Sequence, residues 1–162
     1  MNYKVNPENL GLNPVEAEQA ARELNRYLAN LQVMFIKLHN LHWNVVGMSF
    51  FAIHEKTDEL YHYVGDEIDR IAERIKMIGF YPVGSLSEAL RLATITELPS
   101  TMDYNGPTVA NIVIKDLQTL IRQLRAINEK VDSAYTGGLT GNSIEFFEKQ
   151  HWMLSAYLTN LE

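Results

Sequence analysis

The sequence predicts an all-α protein: a four-helix bundle with a short extra helix in a long crossover between its second and third long helices. Three observations lead there. Four long segments carry apolar residues at helical spacing, and none shows a sustained alternation of period two. About 28 residues separate the second long segment from the third, too many for an ordinary bundle turn. A connection of that length lets those two helices run parallel.

Each element has its own signals. The first helix starts at "NPVEAE", where Asn13 caps, Pro14 suits the first helical position and Glu16 stands where a capping box needs a carboxylate. Its stripe is Ala17, Ala21, Leu24, Leu28, Leu31, Phe35 and Leu38, and His42 takes the next place in that series. The second helix starts after Ser49 with the stripe Ile53, Leu60, Val64, Ile68, Ile71, Ile75 and Ile78. It ends at Gly79, a good residue just past a helix C-terminus, with Pro82 beyond. Inside the crossover, "SLSEALRLATI" offers Ser85 and Glu88 as a capping box for the short extra helix. The third helix, after Pro107, repeats Ala110, Val113, Leu117, Leu120, Leu124, Ile127 and Val131. The fourth, from about Asn142, carries Ile144, Phe147, His151, Leu154 and Leu158. One long crossover in a four-helix bundle is the ferritin-like arrangement, and residues 1–162 read as a single domain of that kind.

Composition narrows the chemistry. Fourteen Lys plus Arg against twenty Asp plus Glu give a formal net charge of -6, which disfavours nonspecific grip on nucleic acid or an anionic membrane and attracts cations. There is no cysteine, so thiolate catalysis and sulfur-rich metal sites are excluded and a transition metal would need imidazole and oxygen ligands. The start "MNYKVNPENLGLNP" has no signal-peptide pattern, and no apolar run is long enough to span a bilayer; the expectation is a soluble, cytoplasmic protein.

The second helix also carries His54, Asp58, His62, Asp69 and Glu73. At about 100° per residue these five share a sector of roughly 100°, centred roughly 130° from the apolar stripe, so they face away from the bundle's own core. His54 and Asp69 are fifteen residues apart, about 22 Å along a helix, too far for one metal centre. Two copies packed antiparallel about a two-fold axis bring the His54/Asp58 end of one chain to the Asp69/Glu73 end of the other. His42, at the end of the preceding helix, joins the first group. Such an interface repeats every contact, giving two equivalent sites, each completed by both chains. Two imidazoles and three carboxylates suit Fe(II).

A competing reading lies within one chain. Glu59/His62 and Glu148/His151 both match the Glu-x-x-His pair that di-iron bundles point inward. Helical phase speaks against it, since Glu59 and His62 lie almost opposite the apolar stripe. His151, on an apolar stripe, reads as a hydrogen-bonded core histidine.

These residues resemble the Dps proteins, or mini-ferritins. The resemblance covers nearly the whole chain and is most specific in "LHWNVVGMSFFAIHEKTDELYHYVGDEIDRIAER", residues 41–74. That family's pattern is a His-Trp pair, then His-Glu and Asp, then Asp and Glu four apart followed by Arg. Here the matching residues are His42 and Trp43, His54, Glu55 and Asp58, then Asp69, Glu73 and Arg74. The resemblance implies a ferroxidase with two iron ions per inter-subunit site, oxidising Fe(II) preferentially with hydrogen peroxide. It also implies a hollow homododecamer storing ferric mineral, with a role in oxidative stress and iron homeostasis. Trp43, next to a ligand, is a candidate electron reservoir, and Glu55 and Glu59 are candidate mineral-nucleating acids.

Two departures bear on function. The first 21 residues contain one basic residue, Lys4, and the chain ends "YLTNLE", so the basic tail of DNA-compacting members is missing and DNA binding is not expected. Where the family commonly has several aspartates around the start of the fourth helix, this chain has "AYTGGLTGNSIEFFEK", with Glu145 and Glu148 the nearest acids for an iron-entry path. An iron-storing ferroxidase therefore ranks first, DNA compaction second and a purely structural oligomer third.

Overall fold

The computed structural model describes residues 3–159 and is mostly helical. A 3₁₀ turn, Pro7–Leu10, precedes α1 (Pro14–Asn44), β1 (Val45–Val46), α2 (Phe50–Met77) and α3 (Leu86–Leu92). Then follow β2 (Tyr104–Asn105), α4 (Gly106–Lys130), α5 (Ser133–Thr136) and α6 (Leu139–Tyr157). The four long helices are α1, α2, α4 and α6, and α3 is the short helix in the crossover: a ferritin-like bundle, as the periodicity predicts.

Cross-helix bonds fix the directions. Tyr27 on α1 meets Glu67 on α2, while His42 meets His54, so these helices are antiparallel. Asn30 reaches Gln123 and Lys37 reaches Asp116, so α1 also opposes α4. Hence α2 and α4 run parallel, which is what the long crossover provides. β1 pairs with β2 in parallel register, Val45 with Tyr104 and Val46 with Asn105, fastening the exit of α1 to the entry of α4. At that end the Tyr157 hydroxyl donates to Ser49 Oγ at 2.7 Å. Only glycine fits at 106, because a Cβ there would stand 2.5 Å from Tyr157 Oη and 2.7 Å from Ser49 Cβ.

Helix ends follow the sequence signals with three amendments. Asn13 Oδ1 accepts from Val15 N at 2.9 Å and Glu16 N at 3.2 Å, but the box is not closed directly. Tyr135 stands between: Asn13 N–H donates to its hydroxyl oxygen, and the hydroxyl donates to Glu16 Oε2 at 2.5 Å. Ser85 precedes α3 without a side-chain cap bond, and Glu88 turns to Arg91 at 3.9 Å. The third amendment is that α6 begins at Leu139, three residues before Asn142. The end of α2 is as expected: Gly79 at φ 97 lets its N–H reach Lys76 O and the Phe80 N–H reach Ile75 O, the paired bonds of a Schellman motif.

The apolar stripes are buried, apart from Phe35, Ile68, Ile144 and Leu158, which are half-buried, as is His151. Periodicity does not reveal a polar framework inside the bundle. Asn30 binds Thr94 and Gln123 through its amide nitrogen and accepts from Thr94 N and Ile95 N, pinning the crossover to α1. Lys37 and Asp116 form a buried ion pair at 2.8 Å. Burial pushes the Asp116 carboxyl up, and the Lys37 ammonium opposes that shift. We expect Asp116→Leu to destabilise the fold by about 3–5 kcal/mol, because it strands a buried ammonium, while Lys37→Met with Asp116→Leu recovers most of the loss. Urea unfolding at fixed protomer concentration checks both.

Candidate metal centre

The site starts from the short connection between α1 and α2. His42 lies in the last turn of α1 and His54 in the second turn of α2, and each imidazole binds the other's backbone. His42 Nδ1 is 2.8 Å from His54 O, and His54 Nδ1 is 2.9 Å from His42 O. A carbonyl oxygen only accepts, so each Nδ1 carries the proton and each Nε2 keeps a free lone pair. That is the tautomer a metal ligand needs, held by the second contact that usually orients such ligands. Thr57 Oγ1, at 3.2 Å, supports His42 Nδ1 further. The rings stack with centroids 3.7 Å apart and planes at 18°, and Phe50 covers the other face of His54 at 5.0 Å.

Asp58 follows one turn after His54 and is half-buried. The Tyr61 hydroxyl donates to its Oδ1. That bond, with the nearby imidazoles of His62, His42 and His54, holds the carboxyl below the usual carboxylate range. In return the carboxylate raises the Tyr61 phenol. His42 and His54 are thus joined directly, and Asp58, one turn further along α2, is linked to His42 through Tyr61, whose hydroxyl meets the carboxylate and whose ring edge meets the imidazole. Asp69 and Glu73 do not join them: both are exposed, three to four turns further along α2, with no ion pair among the described residues. Arg74 leaves Glu73 alone. It donates from Nε to Tyr135 O at 2.7 Å and from a terminal nitrogen to Ala134 O at 2.5 Å, tying the end of α2 to α5.

Within one chain, no group of three or more His, Asp or Glu residues among the described residues can hold a metal ion. The intrachain pairs are used otherwise. Glu59 accepts from Lys56 and from Gln150, His62 is exposed, Glu148 pairs with Arg125, and Gln118 donates to His151 Nε2 at 3.1 Å. The bundle interior presents Glu67, a fully buried carboxylate that sequence reasoning missed although it follows Leu60 and Val64 on the apolar stripe. Tyr27 and Ser143 donate to its Oε1, and the Arg70 guanidinium lies 3.1 Å from Oε2. Burial and the charge of Glu67 push the Tyr27 phenol well up. A bundle di-iron centre takes carboxylates from all four helices. This interior, with Glu67 committed and Asp116 paired to Lys37, does not match that donor set. Trp43 is exposed, beside His39 at 5.4 Å.

A family model of the ferritin-like domain matches residues 21–162. The chain is 37% identical over 138 residues to a DNA protection during starvation protein from Brevibacillus brevis, covering 83% of this chain and 91% of that relative. The chain belongs to the Dps family. This Dps chain is also 32% identical over 145 residues to general stress protein 20U of Bacillus subtilis, covering 88% of this chain and 99% of that one. Among solved structures it is similar to a Dps protein from Bacillus brevis, with TM-score 0.82, 34% identity and coverage of 90% and 98%. A Dps protein from Vibrio cholerae, described as a member of a broad superfamily of ferritin-like diiron-carboxylate proteins, superposes with TM-score 0.84 at 32% identity, covering 91% and 94%.

The Arg74 tie is open to test. Arg74→Ala removes two charge-assisted bonds to α5 and should destabilise the protein by about 1–3 kcal/mol. Amide exchange of residues 133–137 should rise, while exchange in the His42/His54 region stays unchanged.

Proposed function

We propose that this Dps-family chain is the subunit of an iron-storing and iron-detoxifying ferroxidase. It oxidises Fe(II), preferentially with hydrogen peroxide, at sites shared by two chains, and keeps ferric mineral in a hollow dodecamer in the cytoplasm. Family membership supports iron storage or DNA protection in general. The observation that carries the specific reading is the reciprocal His42/His54 pair, whose Nδ1 bonds leave both Nε2 lone pairs available, with Asp58 one turn further along α2.

Fe(II) is the substrate. His42, His54 and Asp58 supply one half of each site, and Asp69 and Glu73 of a two-fold-related chain supply the other. No bending of one chain joins these halves, because α2 is continuous from Phe50 to Met77. The three carboxylates stabilise Fe(III) relative to Fe(II), which favours oxidation. Two Fe(II) ions give one electron each to one peroxide, which takes up two protons and leaves as two waters. Delivering both electrons in one event forms no hydroxyl radical. Ile36, Leu86 and Leu90 expose apolar surface near this face, as an interface between copies requires.

The test is complementation between chains. Variant A loses His42 and His54; variant B loses Asp69 and Glu73. Each alone has only defective sites. In a mixed pair one site takes intact histidines from B and intact carboxylates from A. Random reassembly should restore roughly a quarter of wild-type peroxide-dependent oxidation, by the symmetry of a two-fold interface. Assembly of normal mass without returned activity would refute the shared site.

DNA compaction, the alternative, has the docking of residues 4–7 against it. Lys4 Nζ lies 5.1 Å over the Tyr81 ring and 5.9 Å over Phe80, and Val5 O packs where a Cβ on Gly79 would stand. The single lysine of that segment is held to the bundle, and binding to phosphates scales with the number contacted. At moderate salt the assembled protein should not retard plasmid DNA in a gel, and a shift that falls steeply with added salt would restore the DNA reading.

A further inference from the structure

Tyr61 is the residue near the site that the motif does not account for. Its hydroxyl donates to Asp58 Oδ1, and its ring edge meets the His42 ring with centroids 5.3 Å apart at 82°. One side chain thus touches both a carboxylate and an imidazole of the half-site. The ring is fixed in turn: it stacks on His39 at 4.0 Å and 28°, and Phe35 meets it edge-on at 6.4 Å. His39 is anchored by its Nδ1 at 2.8 Å from Phe35 O. The other Asp58 oxygen, Oδ2, has His62 Nδ1 at 3.3 Å, but the proton of that nitrogen is directed to Asp58 O at 2.9 Å.

We infer that Tyr61 is a positioning residue: its hydroxyl occupies Asp58 Oδ1 and fixes the carboxylate relative to the His42 ring that the same phenol touches, leaving Oδ2 as the metal-binding oxygen. The inference rests on the assignment of His42, His54 and Asp58 as ligands. Its physical basis is preorganisation. A solvent-facing aspartate samples several rotamers, and binding a cation then has to order it, whereas a carboxylate already held by a donor loses little freedom. Contacts of this second layer typically change metal affinity by about 10- to 100-fold. The phenol stands on the ring stack of α1 and α2, so it transmits the rigidity of the helix pair to a half-buried ligand.

Co(II) serves as the probe, because it binds imidazole and carboxylate ligands, is not oxidised by peroxide-free buffer, and reports its surroundings through visible absorption. The assembled protein is titrated calorimetrically and optically as wild type, Tyr61→Phe, Asp58→Ala and the double variant. Tyr61→Phe keeps the stacked ring and removes only the hydroxyl. It should weaken Co(II) binding about tenfold and alter the absorption of the bound ion. In the Asp58→Ala background the same change should have no further effect, since the hydroxyl acts through that carboxylate. Unchanged affinity in Tyr61→Phe, or an equal loss in both backgrounds, overturns the positioning role while leaving the ligand assignment intact. Wild-type affinity in Asp58→Ala overturns the ligand assignment itself, and the role of Tyr61 with it.

Discussion

The reciprocal bonds between His42 and His54 are the constraint around which this end of the molecule is organised. Each ring is held by the backbone carbonyl of the residue bearing the other ring, so the last turn of α1 and the second turn of α2 lock together. Both Nδ1 atoms are consumed in the structural bonds, and both Nε2 atoms are left for chemistry. The fold and the proposed site thus share the same two side chains. Replacing His54 takes the ring donor from His42 O at the end of α1, whereas His54 O keeps the Thr57 hydroxyl when His42 is replaced.

The interior performs a different task. Asn30, Lys37, Glu67 and Asp116 are buried polar residues on three of the four long helices, and each bonds across a helix interface. Such groups are costly when unpaired, so they favour one register of the bundle over its alternatives. Their carboxylates, Glu67 and Asp116, are thereby committed to bonds within the bundle. The proposed metal chemistry therefore lies on an outer face, where the candidate donors of one chain stand in two groups that cannot meet.

In the proposed function, separation along α2 makes oxidation depend on assembly. Asp69 and Glu73 are exposed without an ion pair among the described residues, and Arg74 turns its guanidinium to the carbonyls of α5. The same contact fixes the end of the helix that carries both carboxylates. At the opposite end, Tyr61 orders Asp58 from a stack of aromatic rings. In the proposed assembly each end of α2 is held by a contact within its own chain before the partner arrives, which favours binding of iron over rearrangement of the ligands.

The sequence by itself determined the helices, their apolar stripes, the parallel relation of α2 and α4, and the family. These follow from local rules: helical period, cap residues, connection length and a motif confined to residues 41–74. The sequence proposes His42, His54, Asp58, Asp69 and Glu73 as ligands on the same local grounds: helical phase puts the last four on one face of α2, and His42 stands at the end of the helix before it. Tertiary structure alone decided the pairing of the histidines with each other's carbonyls, the Lys37–Asp116 pair, the burial of Glu67, and the insertion of Tyr135 into the cap of α1. Periodicity tells which face of a helix a residue occupies but not which distant residue stands opposite. A partner 40 or 119 positions away, as for Tyr27 with Glu67 or Tyr135 with Glu16, is chosen by packing.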